Sequence, residues 1–359
     1  MSAPDWLPIR PELRDDEPYG APQMTGVINL NVNENPYGPS ETVADAIATA
    51  VRDAALGLNR YPDREATALR SGLADYLGHG LTADHVWAAN GSNEVMAQIL
   101  QAFGGPGRTA ISFAPTYSMY PEYARNTHTR WVTGQRREDF GIDPQAALDL
   151  IAAEQPDVVI LTSPNNPTGT ALPFDLVQAV LDAAPGIVVV DEAYAEFRRA
   201  GTPTALALLA DHPRLLVART MSKAFALAGG RLGYVAAHPA VIDALRVVRL
   251  PYHLSAVTQA TALAALAHAD ELLARVDELR DTRDALAAWL AREGYEVAQS
   301  DANFVLFGRF ADRHAVWQGL VDRGVLIRET GPEGWLRVSV GTPAEMAQFY
   351  QALKEVDPR

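Results

Sequence analysis

The sequence predicts an α/β protein: a mostly parallel sheet sandwiched by helices, then a smaller α+β part, with an N-terminal arm in front. Three observations predict this. From about Thr42 to Leu250, short β-branched runs alternate with helical patterns. Those runs are apolar throughout, as strands buried on both faces are. After Leu250 a long amphipathic stretch gives way to separate strand-like runs, which reads as a second, mixed unit.

The elements follow in order. Residues 1–41, rich in Pro, Asn and Tyr, are expected to form an arm that wraps onto a neighbour and supplies part of the small domain. Residues 42–250 are expected to form the large domain. Its clearest strands are Val86-Trp87-Ala88-Ala89, Thr109-Ala110-Ile111-Ser112-Phe113, Val158-Val159-Ile160-Leu161, Ile187-Val188-Val189-Val190 and Leu215-Leu216-Val217-Ala218. Helical segments such as Pro173 to Ala184 lie between them. Residues 251–359 are expected to form the small domain. It opens with a long amphipathic helix from about Val257 to Arg292. Strands follow at Asn303-Phe304-Val305-Leu306-Phe307, Val325-Leu326-Ile327-Arg328 and Trp335-Leu336-Arg337-Val338-Ser339-Val340.

Composition removes several functions. The formal net charge is −14, which repels nucleic acid and anionic membranes. No apolar run approaches the ~20 residues of a membrane helix. Met1 to Arg14 has no hydrophobic core segment, so no secretory signal is expected and a cytoplasmic location is. There is no cysteine, which excludes disulfides and thiolate chemistry. The eight histidines are scattered without His-Glu-x-x-His spacing, so no metal site is expected. No Walker A glycine pattern precedes Lys223.

The basic residues are almost all arginine. The only lysines are Lys223 and Lys354. Arginine replaces lysine where charge alone matters, but not where a deprotonated amine must attack a carbonyl. Lys354 lies in a polar C-terminal stretch and reads as a solvated helix residue.

Lys223 stands among polar groups that follow strands. Val190 is followed by Asp191-Glu192-Ala193-Tyr194, Leu161 by Thr162-Ser163-Pro164-Asn165-Asn166-Pro167-Thr168-Gly169, Ala218 by Arg219-Thr220-Met221-Ser222-Lys223, and Ala89 by Asn90-Gly91-Ser92-Asn93-Glu94. In open α/β sheets the ligand sits at the carboxyl ends of the strands. Each feature alone is ordinary turn or cap chemistry. Together they meet the needs of pyridoxal 5'-phosphate (PLP). Lys223 offers an amine for the aldehyde, and Asp191 an acid for the pyridine nitrogen. Asn166 and Tyr194 offer hydrogen bonds to the phenolic oxygen. Ser92, Asn93 and Glu94 open a helix whose N–H groups, with Ser222 and Arg231, suit a phosphate. Tyr117 offers a ring for stacking.

In this order the motifs Ser-Pro-Asn-Asn-Pro-Thr-Gly, Val-Asp-Glu-Ala-Tyr, Thr-Met-Ser-Lys-Ala-Phe and Gly-Gly-Arg-Leu-Gly resemble those of fold-type I PLP-dependent aminotransferases, class II group. The likeness runs over nearly the whole chain. Asn31-Val32-Asn33-Glu34-Asn35-Pro36-Tyr37, Arg60-Tyr61-Pro62-Asp63, Pro115-Thr116-Tyr117-Ser118-Met119-Tyr120, Leu326-Ile327-Arg328 and Leu336-Arg337-Val338 look most like the histidinol-phosphate branch. The resemblance implies that Lys223 is the Schiff-base lysine and the acid/base, with Asp191 and Tyr194 as its catalytic companions. It implies that Tyr61 reaches the cofactor phosphate of the other subunit, so that the protein is a homodimer. It implies that Arg337 takes the carboxylate of glutamate or 2-oxoglutarate, or the phosphate of histidinol phosphate, with Arg328 assisting. Asn166, Tyr19, Tyr120 and Tyr252 are the further substrate candidates. His253, beside Tyr252, reads as structural. The implied reaction is ping-pong transamination in histidine biosynthesis. An aromatic amino acid aminotransferase is the alternative, because such enzymes share the framework.

Overall fold

The computed structural model describes residues 4, 6–15, 17–18 and 20–359. Tyr19, a substrate candidate, lies outside the described residues.

In chain order the strands are β1 (Ile28–Asn29), β2 (Val86–Ala89), β3 (Thr109–Ala114), β4 (Arg130–Gln135), β5 (Val158–Thr162), β6 (Ile187–Asp191), β7 (Leu215–Thr220), β8 (Gly233–Ala237), β9 (Glu296–Val297), β10 (Phe304–Gly308), β11 (Val325–Leu326), β12 (Arg328–Glu329) and β13 (Leu336–Ser339). Among the described residues, a seven-stranded sheet has the order β2-β8-β7-β6-β5-β3-β4. The pairs β3–β4, β3–β5, β5–β6 and β6–β7 are parallel. Only β8 runs against its neighbours.

The apolar strand runs are explained by cover on both faces. Val159, Leu161, Val188, Val190, Leu215 and Val217 point into one core, while Val158, Ile160, Ile187, Val189, Leu216 and Ala218 point into another. The period of two sends alternate side chains to opposite sides, so a strand with helices on each face is apolar at every position.

A second, four-stranded antiparallel sheet has the order β12-β13-β10-β9. Its core holds Val305, Phe307, Leu336, Val338 and Phe349. The N-terminal segment is built into this part, because β1 pairs in parallel with β11 and the Ser339 N–H donates to the Leu30 carbonyl.

Two expectations needed correction. The amphipathic stretch after Leu250 is three helices, Ala256–Ala267, Ala269–Leu273 and Val276–Arg292, broken at His268 and Arg275. Both break residues have non-helical backbone, with φ/ψ of −117°/26° and −90°/0°. Apolar spacing continues across the breaks, so periodicity alone did not reveal them. The run Val325 to Arg328 is two strands meeting at Ile327, each joined to a different sheet. Among the described residues no helix is long and apolar enough to cross a membrane, and no three His, Cys, Asp or Glu are grouped to hold a metal.

Candidate active site

The carboxyl ends of the parallel strands open into a cavity of about 480 Å³. Asp191 closes β6 and faces it. Register places Asp191 beside Thr162, the last residue of β5. The Tyr120 hydroxyl donates to Asp191 Oδ2 at 2.8 Å, and the Ala193 N–H donates to Oδ1 at 3.1 Å. No Lys or Arg among the described residues pairs with this buried carboxylate. Burial is therefore uncompensated and pushes its pKa up to about 6, although the two hydrogen bonds pull the other way.

Lys223 enters the same cavity from the loop after β7, and its Nζ donates to the Val32 carbonyl at 2.8 Å. Burial, then repulsion from Arg337, lowers its pKa to about 8. A lysine so placed is half neutral near pH 8, which a nucleophilic or basic amine requires.

Gly91 turns the chain into the helix Ser92–Phe103. Its φ is +84°, and a Cβ there would stand 2.4 Å from Arg231 Nη2. The left-handed turn calls for glycine, and the missing side chain leaves room for the Arg231 guanidinium. Ser92, Asn93, Ser222 and Arg231 line this end of the cavity, where a helix N-terminus, a hydroxyl and a guanidinium converge. Glu94 differs from expectation. Its N–H is used on the Gly91 carbonyl, and its carboxylate accepts from Asn90 N and Nδ2 at 2.6 and 2.7 Å. Glu94 holds the turn and does not line the cavity.

Tyr117 lines the wall, and its hydroxyl donates to Asn93 Oδ1 at 3.3 Å. Asn166 and Tyr194 line the same space. Asn166 Oδ1 accepts from Arg337 Nη1, and the Tyr194 hydroxyl accepts from Asn33 Nδ2 at 2.9 Å. Arg337 also donates to the Asn31 carbonyl at 2.7 Å, and its guanidinium lies over the Phe304 ring.

Arg328 and Arg337 are directly opposite each other on the antiparallel pair β12–β13, and both reach the cavity. Like charges facing across a ladder are destabilising without an anion between or beside them. Among the described residues Arg328 has no carboxylate partner.

The remaining tyrosines separate. Tyr120 lines the cavity, though it is fully buried, and its hydroxyl bonds Asp191 and Thr162. Tyr61 and Tyr252 lie outside this cavity, stacked on each other at 4.3 Å, with Tyr61 largely and Tyr252 partly exposed. His253 packs against Trp87 and contacts the Ala88 carbonyl. Residue-level reading missed Asn33, Thr116, Thr162 and Thr220, which also line the cavity. Thr162 and Thr220 end strands, so the strand-end logic that found Asp191 applied to them. Asn33 is brought in only by the tertiary fold.

A half-buried amine and a buried acid without a cation thus line one cavity at the carboxyl edge of a mostly parallel sheet, the arrangement of an aminotransferase-type fold. Residues 25–353 match the family model described as aminotransferase class I and II, and the chain belongs to that family. Its relatives include the histidinol-phosphate aminotransferase of Thermobifida fusca (strain YX), 65% identical over 349 residues, which are 97% of this chain and 95% of that protein. Histidinol-phosphate aminotransferase 3 of Burkholderia lata is 62% identical over 354 residues, 98% of this chain and 96% of its own. Among solved structures, histidinol-phosphate aminotransferase from Sinorhizobium meliloti in complex with pyridoxal-5'-phosphate superposes with a TM-score of 0.82 at 29% identity, covering 91% of this chain and 90% of that one.

Proposed function

We propose that this aminotransferase holds PLP at Lys223 and moves an amino group between histidinol phosphate and 2-oxoglutarate. The observation that carries the reading is the Arg328–Arg337 pair, which brings two guanidinium groups into the cavity of Lys223 and Asp191. Both amino donors, histidinol phosphate and glutamate, bring an anion for that pair.

The residues present fit the cofactor. Asp191 is buried without a cation, and a protonated pyridine nitrogen would supply one. The Gly91 turn, Ser92, Asn93, Ser222 and Arg231 suit the phosphate. Asn166 and Tyr194 suit the phenolic oxygen, and Tyr117 the ring face. When bound, PLP supplies an aldehyde that condenses with amines and an electron-poor ring that draws the electron pair from the substrate Cα.

The chain's own groups then divide the work. Asp191 keeps the ring nitrogen protonated. Lys223 Nζ would take the proton from the substrate Cα and deliver it to the carbon that was the cofactor's aldehyde, acting as base and then acid. Arg337, with Arg328 beside it, orients the substrate's phosphate or distal carboxylate by charge-assisted hydrogen bonds. One cavity serves both substrates in turn, so the kinetics are ping-pong.

A homodimer belongs to the same proposal. Leu56, Leu58, Tyr61, Val247, Leu250 and Tyr252 are exposed apolar groups outside the cavity. Such groups support a covered surface, with Tyr61 reaching the partner's phosphate site.

The deciding experiment is a single-turnover spectrum of the PLP-loaded protein with histidinol phosphate or phenylalanine as donor. Faster conversion with histidinol phosphate is expected. Faster conversion with phenylalanine would make the protein an aromatic aminotransferase instead.

A further inference from the structure

Asn33 joins three parts of the molecule at one buried point. It is 1% exposed, and its backbone is left-handed, with φ 57°. Asn303 Nδ2 donates to its carbonyl at 3.1 Å and holds that conformation. The Asn33 backbone N–H donates to Ser339 Oγ at 2.9 Å, and Asn33 Oδ1 lies 3.0 Å from the same hydroxyl. On its other side, Asn33 Nδ2 stands 2.9 Å from the Tyr194 hydroxyl.

The directions of these bonds can be worked out. A backbone N–H only donates, so Ser339 Oγ accepts it. The serine hydroxyl has one proton, and Asn33 Oδ1 takes it. The opposite amide orientation would leave that proton without an acceptor among the described residues, at a site only 3% exposed. With its oxygen committed to Ser339, the amide turns its NH2 to Tyr194. An amide nitrogen does not accept, so the Tyr194 oxygen does, and the tyrosine gives its own proton in another direction.

We propose that Asn33 and Ser339 are positioning residues that fix the Tyr194 hydroxyl as a donor toward the phenolic oxygen of the bound cofactor. This rests on the reading above, in which Lys223 carries PLP and Tyr194 faces that oxygen. Ser339 is two residues beyond Arg337 on β13. The strand that presents the substrate-binding guanidinium therefore also sets the direction of the tyrosine proton. The amide bond polarises the phenol and makes it a stronger donor. A donor at the phenolic oxygen favours its negative form and lowers the pH at which the loaded protein changes visible absorbance.

The test is a spectrophotometric pH titration of the PLP-loaded protein, without substrate. The variants are Asn33→Gly, Ser339→Ala, Tyr194→Phe, and Asn33→Gly combined with Tyr194→Phe. Glycine keeps the left-handed backbone without strain. None of these changes alters the charged groups lining the cavity, Glu34, Asp191, Lys223, Arg231, Arg328 and Arg337. Asn33→Gly and Ser339→Ala are each expected to raise the midpoint by about half a unit, and Tyr194→Phe by about one unit. In the Tyr194→Phe background, Asn33→Gly is expected to add nothing. If Tyr194→Phe raises the midpoint and neither other single variant does, the positioning role is wrong and the cofactor reading stands. An equal shift from Asn33→Gly in both backgrounds also overturns the role, because the amide would then act without the tyrosine. If Tyr194→Phe leaves the midpoint unchanged, the placement of Tyr194 against the cofactor fails, and this inference fails with it.

Discussion

Asp191 and Glu192 are consecutive, and both are buried, yet the fold treats them in opposite ways. Glu192 points away from the cavity, where Arg219 Nη2 reaches it at 2.7 Å and Arg198 Nη1 at 3.4 Å. Thr204 Oγ1 and the Ala205 N–H also donate to it, at 2.8 and 2.7 Å. Burial raises its pKa, but Arg219, Arg198 and these bonds outweigh burial and hold the value below the ordinary glutamate range. Asp191, one residue earlier on the other face, has hydrogen bonds but no cation, and its pKa rises. One acid is satisfied by the protein itself. The other is kept short of a positive charge, as a ligand site requires. Arginines divide in the same way. Arg219 is locked to Glu192, while Arg328 reaches the cavity beside Arg337.

The contrast can be broken from either side. The largest expected effect is Asp191→Asn, which should lower transamination on the order of 10³-fold without lowering the stability of the cofactor-free protein. Turnover and denaturant midpoints measure the two halves. Loss of stability with activity retained would reverse the assignment. Glu192→Ala should do the opposite. It strands the buried Arg219 and should cost about 3–5 kcal/mol of folding stability, while kcat of the folded enzyme stays within about tenfold. A chemical denaturation curve beside a steady-state assay separates these outcomes.

Arg337→Ala should lower kcat/KM by about 10²-fold for histidinol phosphate and for glutamate. Unchanged values for both would remove Arg337 from the site. The smallest effect is in pH dependence without cofactor. The folded pKa of Asp191, about 6, lies above its ordinary 3.8. Its contribution to stability is therefore full below about pH 3.8 and is lost as pH rises through about 6. Glu192, with a lowered value, contributes above about pH 4.5 and loses that contribution as pH falls through its folded value. Cofactor-free Asp191→Asn should gain roughly 2 kcal/mol over the unmodified chain between pH 4 and pH 7, read from urea midpoints.

Much of this contrast was legible in the sequence. Apolar strands that end in Asp191, Thr162-Ser163-Pro164-Asn165-Asn166 or Thr220-Met221-Ser222-Lys223 announce a parallel sheet and the edge where its polar groups gather. The scarcity of lysine pointed at Lys223. What stayed hidden depended on packing between distant segments. Nothing local tells that Tyr120 bonds Asp191, 71 residues away, or that Asn33 meets Ser339 across 306. Glu94 looked like an open helix start, and only the backbone shows its N–H turned inward to Gly91. The helix breaks at His268 and Arg275 leave the apolar spacing intact, so periodicity passed over them. Tyr61 and Tyr252 lie 191 residues apart in sequence, so nothing local announces that they stack on an exposed face.

The central claim is that Lys223, facing Asp191, is the lysine that holds the cofactor. The chain offers a direct measurement because Lys354 is its only other lysine. The PLP-loaded protein is reduced with borohydride, digested, and its peptides are weighed by mass spectrometry. The account predicts a phosphopyridoxyl group on the peptide containing Lys223 and none on the peptide containing Lys354. Modification at Lys354 or at the N-terminal amine, with Lys223 unmodified, would contradict it.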